Sequence, residues 1–339
     1  MKKKPIVVTM GEPSGISSEI ILKCWLLRDK KKLPPFFLVD CLKKLKNVND
    51  ILKLGVKFKS IEKPKDTSKY FKNYFPVIDM KKDINLKLGV PDVRNSKYVI
   101  DSIKKSFNIV KLKEAGGMVT LPVCKKTLKK YGFKFNGQTE YISYLSNKTL
   151  KKKTEEIMIL STNKPIDNGS NLIVGLVTTH IPLKEIFKEI SEKRLIKKIY
   201  AFNNSLKCIW GIKNPKIALT SINPHSGEGG LIGNEEKRLI SPVLKKLKSE
   251  NVSLFGPLSS DSCFFKKIRK KFDGILCFYH DQGLTPIKII DFYNSINITG
   301  NLPILRVSPD HGPAFDIAEK NIAQTNSLIA SIKFLEKFC

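Results

Sequence analysis

The sequence has 339 residues, 41% of them hydrophobic, so it is long enough to bury the cores of two domains. Its formal net charge of +30 first suggests nucleic acid as a partner, but only six of its 61 basic residues are arginine. Because base and phosphate recognition favour arginine, we interpret the charge as lysines spread over solvated surfaces and expect no nucleic-acid partner.

Short apolar runs recur along the chain and predict buried parallel strands. In chain order they are residues 6–9, 36–39, 118–121, 172–177 and 217–220. Amphipathic stretches at 96–114 and 235–247 have apolar residues at helical spacing and predict helices. The alternation indicates a doubly wound α/β fold. The polar segments 61–95 and 163–170 are predicted to be surface loops.

The apolar runs and the cysteines indicate the compartment. No run approaches the roughly 20 apolar residues that a membrane span needs, so we expect no membrane partner. The seven cysteines include no Cys-x-x-Cys pair, which favours reduced thiols. We therefore expect a soluble cytoplasmic protein.

All four histidines lie in patches of Gly, Pro, Asp or Thr that follow apolar strands. They are His180, His225, His280 and His311. Open α/β sheets bind their ligands at the carboxyl ends of strands, and imidazole is the commonest ligand of transition metals in proteins. The first three histidines are therefore candidate metal ligands. Spacing alone leaves open that they are unrelated surface or capping residues.

Several residues could recognise an anionic substrate. They are Lys125, Lys288, Asn297 and Arg306. Arg306 is the strongest single candidate because arginine is rare in this chain, whereas a lone lysine is usually a solvated side chain. The segment 10–19 could present helix N-terminal amides to an anion, or its glycines could simply form a turn. Neither the Gly-x-Gly-x-x-Gly nor the Walker pattern occurs.

Together these motifs resemble the 4-hydroxythreonine-4-phosphate dehydrogenase family of vitamin B6 (pyridoxine) biosynthesis. The matching segments are residues 10–15, 120–125, 137–140, 179–180, 223–225, 256–261 and 279–283. The resemblance implies a two-lobed α/β/α fold of the isocitrate and isopropylmalate dehydrogenase type. On this basis residues 1–115 with 282–339 are expected to form a cofactor-side domain, and 116–281 a domain for substrate, metal and dimer formation.

The resemblance also implies a role for each candidate residue. One divalent metal ion (Zn, Mg or Co) would be bound by His180, His225 and His280. The phosphorylated substrate would be bound by Gln138, Thr139, Lys288, Asn297 and Arg306. Lys125 and Asp261 are the candidates for proton transfer. A homodimer with its active sites at the interface is implied as well.

The cofactor expectation rests on residues 310–318, which are similar to the adenosine loop of isopropylmalate and isocitrate dehydrogenases. In this loop His311, Gly312 and Asp316 would bind NAD. The Asp316 carboxylate would repel the additional phosphate of NADP, so NAD is expected and NADP is the alternative.

The expected activity is NAD-dependent oxidation of 4-phosphohydroxy-L-threonine, followed by decarboxylation to 3-amino-2-oxopropyl phosphate. Gln138 departs from the family, which has a substrate-contacting His there, and an amide cannot transfer a proton. Glu12 replaces Asp and Cys124 replaces Asn. The alternatives are a dehydrogenase of threonate or erythronate 4-phosphate, a metal-dependent hydrolase and a basic nucleic-acid-binding protein.

Overall fold

The structure is a computed structural model that describes residues 3–150, 154–162, 166, 172–250 and 252–339. The chain divides into two compact units. Unit 1 comprises Met1–Lys153 and Pro303–Cys339, and unit 2 comprises Thr154–Leu302. The boundaries expected from the sequence lay near residues 115 and 281, and strand pairing explains the difference, as described below.

The strands of the described residues are short and follow the apolar runs of the sequence. In chain order β1 to β12 are Ile6–Thr9, Phe36–Asp40, Phe58–Ser60, Phe75–Asp79, Met118–Val119, Ile157–Ser161, Ile173–Leu176, Ile217–Thr220, Leu254–Leu258, Gly274–Cys277, Ile296–Gly300 and Arg306–Pro309.

The α-helices of the described residues lie between these strands. In chain order α1 to α13 are Ser17–Leu26, Leu42–Ile51, Thr67–Tyr70, Ser96–Lys111, Lys125–Lys130, Gln138–Leu150, Ile186–Glu189, Glu192–Trp210, Ser241–Lys248, Ser260–Cys263, Lys266–Arg269, His280–Ile290 and Asn326–Leu335. The alternation of strands and helices confirms the predicted α/β class.

Unit 1 contains a parallel sheet in the order β3-β4-β2-β1-β5-β12. Every residue of β1 and β2 is buried, as continuous apolar strands of parallel sheets usually are. Helix α4 packs on β1 and β2, and α13 packs on β5 and β12. Because β5 pairs with β1 and β12, the chain after residue 115 still belongs to this unit.

Unit 2 contains a mixed sheet in the order β11-β6-β7-β10-β8-β9. Strand β6 is antiparallel to both neighbours, and the other pairs are parallel. Ile287 of α12 is buried in an apolar cluster with residues of β7 and β10. Because α12 packs on this sheet and β11 pairs with β6, residues 282–302 belong to unit 2.

The prediction of a loop over residues 61–95 was wrong in its centre. Strand β4 occupies Phe75–Asp79 and pairs with both β2 and β3. Pro76 has no N–H group to donate, and proline is rare in strands that pair on both sides. The sequence therefore did not indicate a strand here. Of the segment 163–170, only residue 166 lies within the described part of the chain. Within that part, no helix has the length and hydrophobicity of a membrane span.

Candidate functional site

Two of the predicted metal ligands lie side by side in unit 2. His280 is the first residue of α12 and closely follows β10, while His180 follows β7. Because β7 and β10 are parallel neighbours, the segments that follow them leave the sheet at the same edge. The centroids of the two imidazole rings are 5.5 Å apart, and the ring planes are inclined by 45°. The fold therefore brings two histidines from distant parts of the sequence together.

Asp281 orients one of these rings. Its Oδ1 atom lies 2.7 Å from Nδ1 of His280. A carboxylate in this position favours the tautomer that has its proton on Nδ1, so that Nε2 keeps its lone pair for a metal ion. In the sequence Asp281 belongs to the matching segment 279–283, and no role was predicted for it. The signal for that role was its position directly beside a candidate ligand.

His225 lies in a loop of unusual backbone conformation. The segment Pro224–Gly230 follows β8, and its residues 225–229 all have positive φ, between 41° and 75°. His225, Ser226 and Glu228 are not glycines, and this conformation costs L-residues roughly 1–2 kcal/mol each. His225 itself is exposed. Neighbouring groups must therefore hold the loop in place.

Glu236 holds the start of this loop. Its Oε1 accepts hydrogen bonds from the backbone N–H groups of Ile222 (2.9 Å) and Asn223 (2.8 Å), and its Oε2 accepts one from Asn223 Nδ2 at 3.0 Å. Glu236 is buried. Burial alone would raise the pKa of its carboxyl group, but the hydrogen bonds from Asn223 and Ile222 outweigh burial and lower the pKa. Sequence reasoning missed Glu236 because nothing local reveals its distant partners.

Asp261 lies near His225 in unit 2. It is exposed and accepts a hydrogen bond of 2.5 Å from Ser259 Oγ. That hydrogen bond lowers the pKa of Asp261, and the nearby charge of His225 lowers it further. Asp261 is therefore ionised at neutral pH, and the lowered pKa makes it a weak base.

The described residues contain no group of three or more His, Cys, Asp or Glu side chains that could hold a metal ion. The chain thus brings together His180 and His280, while His225 is not part of a three-ligand cluster. Two neighbouring imidazoles with a carboxylate behind one of them nevertheless fit a divalent transition metal.

Gln282 ties together the segments that follow β8 and β10. Its Oε1 accepts hydrogen bonds from Thr220 Oγ1 (2.8 Å) and from the N–H of Phe278 (2.7 Å). Its Nε2 donates to the Ser221 carbonyl and to Ser260 Oγ, both at 2.7 Å. One buried amide therefore joins the starts of the segments that carry His225, Asp261 and His280. Sequence reasoning did not assign it this role.

The two other substrate candidates of unit 2 are Lys288 and Asn297. Lys288 is near the end of α12, and its Nζ lies 5.1 Å from the ring centroid of Phe292. Asn297 lies in β11, and its buried Oδ1 atom has no hydrogen-bond partner in the described part of the protein. A buried acceptor of this kind is expected to meet a ligand or water.

Arg306 is the centre of the anion-binding candidates in unit 1. It begins β12 opposite Met118 of β5, and it is only 4% exposed. Its Nε donates to Thr120 Oγ1 at 2.9 Å, and its Nη1 donates to Thr139 Oγ1 at 3.2 Å. Burial lowers the pKa of Arg306 to about 10, and the Glu140 carboxylate opposes this shift. A bound anion would stabilise the buried charge further.

Lys125 and Gln138 lie at the N-termini of α5 and α6 in the same unit. The Lys125 amine and the Glu140 carboxylate flank Gly137, since a Cβ atom built there would be 3.9 Å from Nζ and 3.2 Å from Oε2. Gln138 Nε2 donates to the Leu121 carbonyl at 3.0 Å. Gln138 Oε1 is buried and has no hydrogen-bond partner among the described residues.

The segment before α1 has a structural role. The N–H of Ile16 donates to the Pro313 carbonyl at 2.9 Å, so this helix N-terminus already has an acceptor. A Cβ atom at Gly15 would lie 2.5 Å from the same carbonyl oxygen. Of the two interpretations left open by the sequence, these contacts favour a glycine needed for close packing.

The three cofactor candidates lie on the loop that follows β12. His311, Gly312 and Asp316 are exposed, and Asp316 belongs to the single 3₁₀ turn Phe315–Ile317. Nδ1 of His311 lies 3.0 Å from the Gly312 carbonyl oxygen. A Cβ atom at Gly312 would meet no atom within 4 Å, so the loop leaves space beside its backbone.

Comparison with known proteins identifies the family. The family model described as pyridoxal phosphate biosynthetic protein PdxA matches residues 35–335. The chain belongs to the PdxA family. The family resemblance predicted from the sequence is thereby confirmed.

Curated relatives of the PdxA family match almost the whole chain. A 4-hydroxythreonine-4-phosphate dehydrogenase from Zymomonas mobilis is 33% identical over 97% of this chain and 94% of its own length. One from Caulobacter vibrioides is 32% identical over 99% of this chain and 98% of its own length.

A crystal structure of 4-hydroxythreonine-4-phosphate dehydrogenase from Klebsiella pneumoniae is similar with a TM-score of 0.86 and 29% identity, covering 99% of both chains. A terephthalate 1,2-cis-dihydrodiol dehydrogenase from Burkholderia xenovorans, 18% identical with a TM-score of 0.61, covers 99% of this chain and 98% of its own and shares the fold.

Proposed function

We propose that this PdxA protein oxidises 4-phosphohydroxy-L-threonine with NAD in pyridoxine biosynthesis. The observation that carries the proposal is the pairing of His180 and His280. It occurs in a chain that matches relatives named 4-hydroxythreonine-4-phosphate dehydrogenase over nearly their full length. The oxidation removes a hydride from C3 and a proton from the C3 hydroxyl. The product is a 2-amino-3-oxo acid that loses carbon dioxide to give 3-amino-2-oxopropyl phosphate.

A divalent metal ion fits the histidine pair, and His180, His280 and His225 are the residues that would hold it. When bound, such an ion lowers the pKa of a coordinated hydroxyl group and stabilises negative charge on a neighbouring oxygen. Zinc and cobalt suit imidazole ligands better than magnesium does. Asp281 would orient the His280 ring through its 2.7 Å contact.

Each unit has cationic or polar candidates for binding an anionic group of the substrate. In unit 1 the candidates are Arg306, Thr139 and Lys125, which lie around the start of α6. In unit 2 they are Lys288 and Asn297. The buried Oδ1 atom of Asn297 has no hydrogen-bond partner among the described residues. Charge-assisted hydrogen bonds of this kind are about twice as strong as neutral ones.

For proton transfer we propose Lys125 and Asp261. The lowered pKa of Asp261 makes it a poor acceptor of the hydroxyl proton, and Lys125, as an ammonium group, would donate a proton to the carbon that loses carbon dioxide. Gln138 is excluded from this role because an amide does not titrate.

The cofactor is proposed to be NAD, bound at the loop of His311, Gly312 and Asp316. The open space beside Gly312 allows close approach of a ligand to the backbone. The exposed Asp316 carboxylate would repel the additional phosphate of NADP.

We also propose a homodimer whose interface completes the active site. Support comes from His225, which is exposed on a loop held in left-handed conformation, and from the strongly exposed apolar side chains Leu231 and Ile289. All seven cysteines are free thiols, which supports a cytoplasmic location.

The test is an NADH absorbance assay with purified protein and 4-phosphohydroxy-L-threonine, run against threonate and erythronate 4-phosphates. We expect the first compound to be oxidised fastest, and a chelator to abolish turnover. Faster oxidation of threonate or erythronate 4-phosphate would replace the proposed substrate with that compound. Full activity after chelation would refute the metal proposal, and substrate loss without NADH would favour a hydrolase.

A matched variant completes the test. His225→Ala should abolish turnover, whereas His311→Ala should weaken NAD binding and leave the metal content unchanged. DNA binding that persists at 150 mM salt would revive the nucleic-acid alternative.

A further inference from the structure

The side-chain amide of Gln138 has a fixed orientation. Its Nε2 donates to the Leu121 carbonyl, which can only accept a hydrogen bond. The nitrogen must therefore face Leu121, and Oε1 must face the other way. Gln138 is 9% exposed, so its amide is held in a buried position.

The Oε1 atom of Gln138 is a buried acceptor whose partner is not supplied by the described residues. Most buried side-chain acceptors have a hydrogen-bond partner, either from the protein or from an ordered molecule. An acceptor left without one disfavours the folded state. The missing partner is therefore a group that carries a donor hydrogen.

The surroundings of Gln138 favour an anion close by. Thr139, the next residue, accepts a hydrogen bond from the buried Arg306 guanidinium. The Lys125 amine and the Glu140 carboxylate both lie beside Gly137, the preceding residue, so Glu140 offsets part of the positive charge there. Gln138 also begins α6, a helix of 13 residues whose N-terminal end carries partial positive charge.

These two features restrict the chemistry of the ligand. A phosphate dianion or a carboxylate has only acceptor oxygens, so Gln138 Oε1 would repel it. The anion belongs beside Arg306 and Thr139, and the group that faces Oε1 must be a neighbouring hydroxyl or ammonium group of the same molecule.

We propose that Gln138 is a specificity-determining residue that selects substrates with a hydrogen-bond donor next to the anionic group held by Arg306. The inference rests on the proposed function for the identity of the ligand. In 4-phosphohydroxy-L-threonine the donor is either the 3-hydroxyl, which neighbours the phosphate-bearing carbon, or the 2-ammonium, which neighbours the carboxylate. Gln138 thus accepts a hydrogen bond from one donor group of the substrate, while other residues bind the anionic group.

The experiment measures affinities by calorimetry for three ligands. They are 4-phosphohydroxy-L-threonine, O-phospho-L-homoserine, which lacks the 3-hydroxyl, and 3-hydroxy-4-phosphooxybutanoate, which lacks the 2-amino group. Each is titrated into the wild-type protein and into Gln138→Met, which has similar volume but an apolar end in place of the amide. Gln324→Met, a change at an exposed glutamine of the same unit, is the matched control.

We expect Gln138→Met to weaken binding of the parent compound by about 10- to 100-fold, the usual effect of losing one hydrogen bond to a hydroxyl or a charged donor. For the analogue that lacks the donor read by Gln138, wild type and variant should bind within about twofold of each other. The analogue that removes this difference identifies the donor.

The inference is overturned if Gln138→Met binds all three ligands as wild type does, since the partner of Oε1 would then be water. It is also overturned if the variant weakens all three ligands equally, since the amide would then only support the local structure. Thermal unfolding of the variant identifies a folding defect, which would weaken all three ligands alike. If wild type binds these ligands with the expected pattern but produces no NADH, the proposed function fails while the inference on Gln138 stands.

Discussion

Replacing Gln282 by leucine tests how much the hydrogen bonds of one side-chain amide stabilise the segments that follow β8 and β10. Leucine has a similar size but cannot form the four hydrogen bonds that Gln282 makes at 2.7–2.8 Å. The hydroxyls of Thr220 and Ser260 can turn to other partners. The N–H of Phe278 has no other acceptor among the described residues, and leaving it without one costs about 1–3 kcal/mol, whereas the Ser221 carbonyl keeps the 3.3 Å hydrogen bond from Ser260 Oγ. We therefore expect the free energy of unfolding to fall by about 2–3 kcal/mol.

Urea denaturation followed by circular dichroism measures this loss, with Gln324→Leu as the control at an exposed glutamine. The control should stay within about 0.5 kcal/mol of wild type. Hydrogen exchange locates the effect, and faster exchange is expected in unit 2 but not in unit 1. A loss below about 1 kcal/mol, or faster exchange in both units alike, would refute the reasoning.

The remaining predictions concern a carboxylate anchor, the metal and two glycines. Glu236→Gln should lower the free energy of unfolding at pH 7 by about 1–3 kcal/mol, because an amide N–H would face Asn223 Nδ2. Since the folded protein lowers the pKa of this carboxyl group, its contribution is present above about pH 4.5 and lost below it, so wild type and variant should converge in acid denaturation curves. Asp281→Asn should weaken zinc or cobalt binding about 10- to 100-fold in calorimetry. Because Asp281 is exposed, the melting temperature should stay unchanged. Unchanged metal affinity would contradict the orienting role of Asp281. Gly15→Ala should destabilise the protein by about 1–3 kcal/mol, since its methyl group meets a backbone carbonyl, whereas Gly312→Ala should be neutral in the same melts. Weaker NAD binding by Gly312→Ala would support the cofactor loop, and normal binding would count against it.

Much of the fold follows from local sequence pattern. Strands β1, β2 and β8 are continuous apolar runs, and helix α4 shows its amphipathic spacing directly, so each was predicted within a few residues. Strand β4 was not predicted because it contains Pro76, and proline is rare inside a strand that pairs on both sides. The two compact units have other bounds than the domains predicted from the sequence, because the units depend on which strands pair, as β5 does with β12.

The sequence also determined the family. The order of the motifs around His180, His225, His280 and Arg306 gave the resemblance to 4-hydroxythreonine-4-phosphate dehydrogenases, and membership of the PdxA family was then confirmed. These features are readable because they depend on residue type and order alone.

Only the tertiary structure decided how the side chains meet. It pairs His180 with His280, anchors the His225 loop on Glu236, and turns Gln138 Oε1 away from Leu121. The physical reason is that these contacts join residues from separate strand ends or loops. A hydrogen bond of about 3 Å is set by sheet register and helix packing, which no local pattern of residues specifies.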